Sequence, residues 1–304
     1  METISTNEIM VSVVCDVFNH EDFLRECLDG IVMQQTDFAF EILIHDDAST
    51  DKSVEIIQEY VDKYPHLFKP IYQKENKYSK GVSIWYDIQF PRANGKYIAI
   101  CEGDDYWIDP LKLQKQVDFM EVNPEYSMCF HAAEIKNETT TRIITTCQNI
   151  EEKEYFTNDI FPGWVVPTAS VVYRRSMVDS FPPLKNAHWI KYGDIVLFLK
   201  CTHVGRVWGM KNQMSVYRMT SNGAVVSQCL DPKAEEKVCK HYQFLMQNFP
   251  QLNKEWPSRY IAQHFYSKFR KITNILDKLT ALYVALKFSP KFVLQKFTSA
   301  IKRT

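Results

Sequence analysis

With 304 residues, 45% hydrophobic and 24% charged, the chain reads as globular and is long enough for one large domain and an appendage. The net charge of -1 hides an asymmetry: from residue 261 onward Lys268, Arg270, Lys271, Lys278, Lys287, Lys291, Lys296, Lys302 and Arg303 face the single acid Asp277, so this end carries about +8 and the rest about -9. Eight cysteines without CxxC or other ligand spacing point to a reducing compartment, and residues 1–10 lack the basic and apolar regions of a leader; together with the lack of any uncharged apolar stretch of bilayer length, this predicts a cytoplasmic protein.

Residues 10–17, with Val11, Val13, Val14 and Val17, read as a strand buried on both faces, closed by Asn19 and His20. A helix over 21–35 carries Phe23, Leu24, Cys27, Leu28, Ile31 and Val32 on one face. The next strand, 40–45, runs into the polar turn Asp46-Asp47-Ala48-Ser49-Thr50-Asp51, rich in helix-capping residues, and a helix follows to Pro65. A third strand is expected at 68–73, a third helix at 82–90 and a fourth strand at 97–101. Strands alternating with helices predict a mostly parallel sheet covered on both faces, with ligands at the carboxyl ends of the strands.

At such an end Glu102, Asp104 and Asp105 follow the apolar run 97–101. Carboxylates this close raise one another's pKa unless a cation neutralises them, and Mg2+ or Mn2+ with oxygen ligands suits the set; the plain alternative is a solvated turn. Gly103 is expected where the backbone turns sharply. Both acidic clusters fall on the same edge of the sheet, which favours a site. Asp109 and Pro110 are expected to open a helix over 111–122, followed by a strand at 126–135 and a polar excursion over 136–161. Structure resumes with a strand at 165–173, a helix opened by Gly193 and Asp194, and two short strands at 204–210 and 214–218; beyond Ser227 the pattern is helical.

The series Val11-Ser12-Val13-Val14 with Phe18-Asn19, Ile44-His45-Asp46-Asp47-Ala48-Ser49-Thr50-Asp51, Ala93-Asn94-Gly95-Lys96-Tyr97-Ile98 and Glu102-Gly103-Asp104-Asp105 resembles glycosyltransferase family 2 over residues 10–222. The run 101–121 is similar to a bacterial branch that builds surface polysaccharides. The resemblance implies an α/β GT-A fold with a C-terminal helical extension: a catalytic domain over 1–228, its nucleotide-sugar half about 1–110 and its acceptor half about 111–228, and a basic helical region over 229–304. It further implies an inverting, metal-dependent transferase that moves a sugar from a nucleotide-sugar donor, most readily a UDP-sugar, to a glycan or lipid-linked acceptor.

Residue by residue, the resemblance places Val17 and Phe18 against the base, with core packing the alternative for Phe18, and makes Asp47 its hydrogen-bond acceptor. The family's Asp-x-Asp metal motif falls on Glu102, Asp104 and Asp105, with Glu102 a departure by one methylene; Asp104 is the favoured ligand of Mn2+ or Mg2+, Asp105 the next, and Glu102 also reaches the nucleotide side. The general base falls on Asp194, where Gly193 replaces the family's Glu and helix capping is the alternative. Arg218, in Tyr217-Arg218, either charges the diphosphate site or pairs with a surface acid. The tail beyond residue 260 suits either amphipathic helices on an anionic membrane or an ordinary packed appendage, and no nucleic-acid motif accompanies its charge. Two rival functions remain: a non-catalytic assembly protein on a retained fold, and a sugar nucleotidyltransferase, which lacks here the early glycine-rich loop it requires.

Overall fold

The computed structural model describes residues 8–137, 144–147, 149–163, 165–182, 190, 192–219 and 234–301. Asn222, Gly223, Ser227, Lys302 and Arg303 lie outside them. The chain divides into two compact units, Met1–Pro183 with Leu197–Gly223, and Leu184–Val196 with Ala224–Thr304. The division differs from a boundary at 228 by placing residues 184–196, Asp194 among them, in the second unit.

The first unit is built on one sheet whose strands are β1 (Ile9–Val17), β2 (Ala39–Asp46), β3 (Phe68–Tyr72), β4 (Tyr97–Ile100), β5 (Tyr106–Trp107), β6 (Tyr126–Asn137), β7 (Ile144–Cys147), β8 (Lys153–Tyr155), β9 (Val172–Arg174) and β10 (Arg206–Met219). Their order is β3-β2-β1-β4-β9-β6-β10-β5, with β7 on β6 and β8 on β10. The first four pair in parallel, the half that the alternation predicts. β1, β2 and β4 are buried on both faces, and the helices Leu24–Val32 and Ser53–Lys63 turn apolar stripes to the core. Beyond β4 the sheet is mixed: β9 returns from the polar excursion and inserts antiparallel between β4 and β6, which needs no crossover helix.

Several elements differ from the sequence reading. In place of one helix over 82–90 the chain makes a 3-10 turn, Tyr78–Lys80, a π-helical turn, Ile84–Gln89, and a short α turn, Phe90–Arg92. The wide turn directs Gln89 inward, where its amide donates to Leu43 O (3.0 Å) and Cys15 O (3.3 Å). Leu111, not Asp109, is the N-cap of Lys112–Val122; Asp109 instead accepts from the Leu111 N–H. The excursion contains β7, β8 and the helix Thr157–Ile160. The two strands expected at 204–210 and 214–218 are one, β10, whose register against β6 shifts between Met210 and Ser215 to absorb the polar break at Lys211 and Asn212.

A buried polar knot explains the Ala93-Asn94-Gly95 motif. Ser12 Oγ donates to Glu41 Oε1 (2.7 Å), which also accepts from the Asn94 N–H (2.9 Å), and the Gly95 N–H donates to Ser12 Oγ (2.8 Å). A Cβ on Gly95 would lie 2.8 Å from the carbonyl carbon of Val11 and closer still to Ser12 N, so only glycine brings the turn this close to β1.

The second unit, among the described residues, holds the helices Ala234–Asn248, Glu255–Lys271, Ile275–Phe288 and Pro290–Ile301. His241 is buried edge-on against Tyr192, and Ala262, Ala285, Phe292 and Val293 form a small core.

Candidate functional site

The parallel order β2-β1-β4 places three carboxyl ends side by side, and both acidic turns hang from the last residues of β1. The Asp47 N–H donates to Val17 O (2.9 Å) and the Gly103 N–H to Asp16 O (3.0 Å). The chain turns sharply at Gly103, where the Asp105 N–H bonds back to Glu102 O (2.9 Å), without a left-handed φ; a Cβ there would stand 2.7 Å from His20 Nδ1 and 3.1 Å from Val17 Cγ2.

The Asp46-to-Ser53 turn spends its polar side chains on the loop after β1. Ser49 Oγ accepts from the Asn19 N–H, Ser53 Oγ from the His20 N–H and Asp51 Oδ2 from the Glu21 N–H, all at 2.9 Å, while Asn19 Oδ1 accepts from the Thr50 N–H (2.8 Å). Asn19 (φ 56) and Ala48 (φ 64) hold left-handed conformations to permit this lacing. Its consequence is Phe18: fixed between β1 and the laced loop, the ring is 45% exposed, which excludes core packing. Val17 is buried and belongs to the core. Asp47 is buried too, and its two oxygens accept the N–H groups of Lys77 (2.7 Å) and Tyr78 (3.0 Å), pinning the turn that leaves the Tyr78 ring exposed.

Asp16, which the motif reading passes over, stands at the same edge. It accepts from Gln89 Nε2 (2.7 Å), and burial pushes its carboxyl up to about 7, partly opposed by hydrogen bonds from Gln89 and Trp85. A carboxylate inside an otherwise apolar strand is the sequence signal that marks it. Burial also lowers the pKa of His45, whose Nε2 lies 3.1 Å from Gln73 Nε2.

In the second acidic turn the three carboxylates take different places. Asp105 points inward: it is 1% exposed, Oδ1 accepts the Arg218 N–H (2.9 Å), Oδ2 has no hydrogen-bond partner among the described residues, and burial, then Asp104, pushes its carboxyl well above the usual range. Glu102 and Asp104 are half-buried. Arg218 is buried as well, its guanidinium over Tyr106 (4.3 Å) and Phe23 (5.2 Å), bonded to Asp104 O (2.9 Å) and ion-paired with Glu26. Burial lowers its pKa to about 10. Arg218 clamps the end of β10 to the acidic turn, its long side chain stacked against two rings and its guanidinium paired with Glu26.

No group of three or more His, Cys, Asp and Glu side chains among the described residues is arranged to enclose a metal ion. The donor set nonetheless suits a hard cation that arrives with a diphosphate, because Mg2+ and Mn2+ take one or two carboxylates and fill the remaining positions with phosphate oxygens and water. Glu102 and Asp104 are the half-buried carboxylates of the set that would hold such a cation, while Asp105 turns inward to accept the Arg218 N–H. Asp194, which falls in the second unit, stands in the first turn of the helix Gly193–Val204, half-buried, with burial raising its carboxyl and the backbone N–H of Ile195 opposing the rise.

Comparison with known proteins adds the following. The sequence profile described as glycosyl transferase family 2 matches residues 12–181. An uncharacterised protein of Mycobacterium tuberculosis is 36% identical over 214 residues, 70% of this chain and 60% of that protein, so the chain spans about three fifths of that relative's length. TuaG of Bacillus subtilis, named for teichuronic acid biosynthesis as a glycosyltransferase, is 32% identical over 111 residues, 36% of this chain and 42% of its own. The crystal structure of S. aureus TarS residues 1–349 with UDP-GlcNAc superposes with a TM-score of 0.60 at 18% identity, covering 92% of this chain and 80% of that one, a likeness of fold. The profile match runs through both acidic turns, the laced loop after β1 and the Asn94-Gly95 knot, and with the GT-A sheet around them the chain belongs to glycosyl transferase family 2.

Proposed function

We propose that this chain transfers a sugar from a nucleoside diphosphate sugar, with uridine as the base, to a hydroxyl group of a glycan or lipid-linked acceptor during assembly of a bacterial polysaccharide, with inversion at the anomeric carbon. The observation that carries the reading is the pair of acidic turns bonded to Asp16 O and Val17 O, with the exposed Phe18 ring on the residue that follows Val17, whose carbonyl accepts the Asp47 N–H. An aromatic face next to an acceptor suits a pyrimidine base that offers an N–H, and a carboxylate edge lies one strand away for the diphosphate end. The names of TuaG and of the TarS complex agree with a cell-surface polymer and a UDP-sugar.

In this reading Phe18 carries the base and the remaining lone pairs of Asp47 receive its edge, while the N–H groups of Lys77 and Tyr78 hold that carboxylate still. Asp104, with Glu102, holds Mn2+ or Mg2+, which when bound neutralises charge on the departing diphosphate. Asp105 and Arg218 keep the turn rigid from inside. Asp194 takes the proton of the acceptor hydroxyl as the new bond forms; its raised pKa makes it a stronger base than an exposed aspartate.

Asp194→Asn tests the assignment. Measured as UDP release from UDP-sugars offered a lipid-linked acceptor pool, turnover is expected to fall by about 10²–10⁴ with UDP affinity within about twofold. Near-native turnover removes Asp194 from the chemistry.

A further inference from the structure

The helix Ile275–Phe288 is packed inside out. The side it buries is made of the small residues Ala281 and Ala285, with Leu282 partly buried beside them, against Ala262, Phe292 and Val293. Its larger apolar residues face solvent: Ile275 is 71% exposed, Leu276 72%, Leu279 58% and Tyr283 67%, with Leu286 also exposed. At 3.6 residues per turn these five positions fall within an arc of about 100°, so they form one continuous stripe. The helix Pro290–Ile301 adds exposed Leu294 and Phe297. An appendage stabilised only by its own packing would turn leucine and isoleucine inward and leave alanine outside. Here the burial is reversed, and an exposed apolar surface of this kind marks a contact.

Charge identifies the partner. Across residues 275–301 the bases Lys278, Lys287, Lys291 and Lys296 face Asp277 alone, and Lys287, Lys291 and Lys296 are exposed. Lys287 and Lys291 form no ion pair among the described residues. No described helix is long and apolar enough to cross a membrane. We infer that this stripe and its lysines form a docking surface for an anionic phospholipid bilayer, on which the helix lies in the plane of the headgroups with Leu276, Leu279 and Tyr283 inserted and the lysines against lipid phosphates. The inference stands apart from the transferase reading, since it concerns only the second unit and needs no turnover.

Flotation of the full chain with vesicles of phosphatidylcholine alone, or with 30% phosphatidylglycerol (order of magnitude for an anionic leaflet), tests it. Binding is expected on the anionic vesicles, with at least a tenfold loss for Leu276→Ser/Leu279→Ser/Tyr283→Ser and, separately, for Lys287→Glu/Lys291→Glu/Lys296→Glu, each about fivefold or less per lysine. Circular dichroism confirms that both variants remain helical; if the apolar variant fails to fold, the lysine variant, whose three replaced residues are exposed, decides. Absence of binding to anionic vesicles overturns the inference, as does binding that the lysine variant leaves unchanged. A dimer in solution that Leu279→Ser/Tyr283→Ser dissociates, without lipid binding, assigns the stripe to a second copy instead and equally overturns it.

Discussion

Asp16 is the residue on which pH acts most directly. Its carboxyl titrates near 7 in the folded chain against an ordinary value near 3.8, so between those limits the folded form holds a proton that the unfolded chain has lost. The associated stability is complete below about pH 4 and is lost as pH rises through 7, at up to about 1.4 kcal/mol per pH unit. Asp16→Asn keeps an acceptor for Gln89 and removes the titration. Thermal melts from pH 4 to 8 are therefore expected to show a melting temperature difference, variant minus wild type, that grows with pH; a difference flat across the range contradicts the assignment. Phe18, Asp47 and Asp104 were legible as motif positions. Which way each side chain points was not, because the motif gives residue type and order, while exposure of Phe18 follows from hydrogen bonds between Asn19, Ser49 and Thr50 that only the folded loop makes. Arg218 is the clearest case: the sequence leaves it between a diphosphate site and a surface acid, and its burial beneath Tyr106 depends on β5, a two-residue strand too short to leave a periodic signal.

At the scale of elements, the helix Leu24–Val32 meets β5 through Gly30, whose missing Cβ would stand 2.6 Å from Trp107 O and 2.8 Å from Trp107 N. Backbone cannot yield as a flexible side chain does. Gly30→Ala is expected to cost about 1–3 kcal/mol in denaturant unfolding, and a loss under about 0.5 kcal/mol shows that the helix shifts freely. Gly30 offers no sequence cue, since a glycine inside an amphipathic helix reads only as a weak helix former. The strands β1, β2 and β4 were legible because both their faces are buried and their apolar runs are unbroken. The turn sequence over 78–92 was not: its apolar spacing matches a helix, but Ser83 and Pro91 admit a π turn that carries Gln89 into the sheet's edge.

For the whole molecule, the fold follows from alternation in the first four strands, and the mixed half does not, since β9 pairs with strands distant in sequence and its three residues carry no period. The second unit announces itself by charge and apolar content, but its inverted packing emerges only from the burial of Ala281 and Ala285. The central claim is that the edge shared by β1, β2 and β4 binds a uridine diphosphate with a divalent cation. Calorimetric titration of the full chain with UDP, GDP and dTDP, with Mn2+ and again with EDTA, repeated on Asp104→Ala, tests it most directly. The account predicts binding of UDP in preference to the other two, weakened by about tenfold or more when Mn2+ is removed or Asp104 is replaced. A folded chain that binds none of the three, or binds UDP equally well in EDTA and without Asp104, contradicts it.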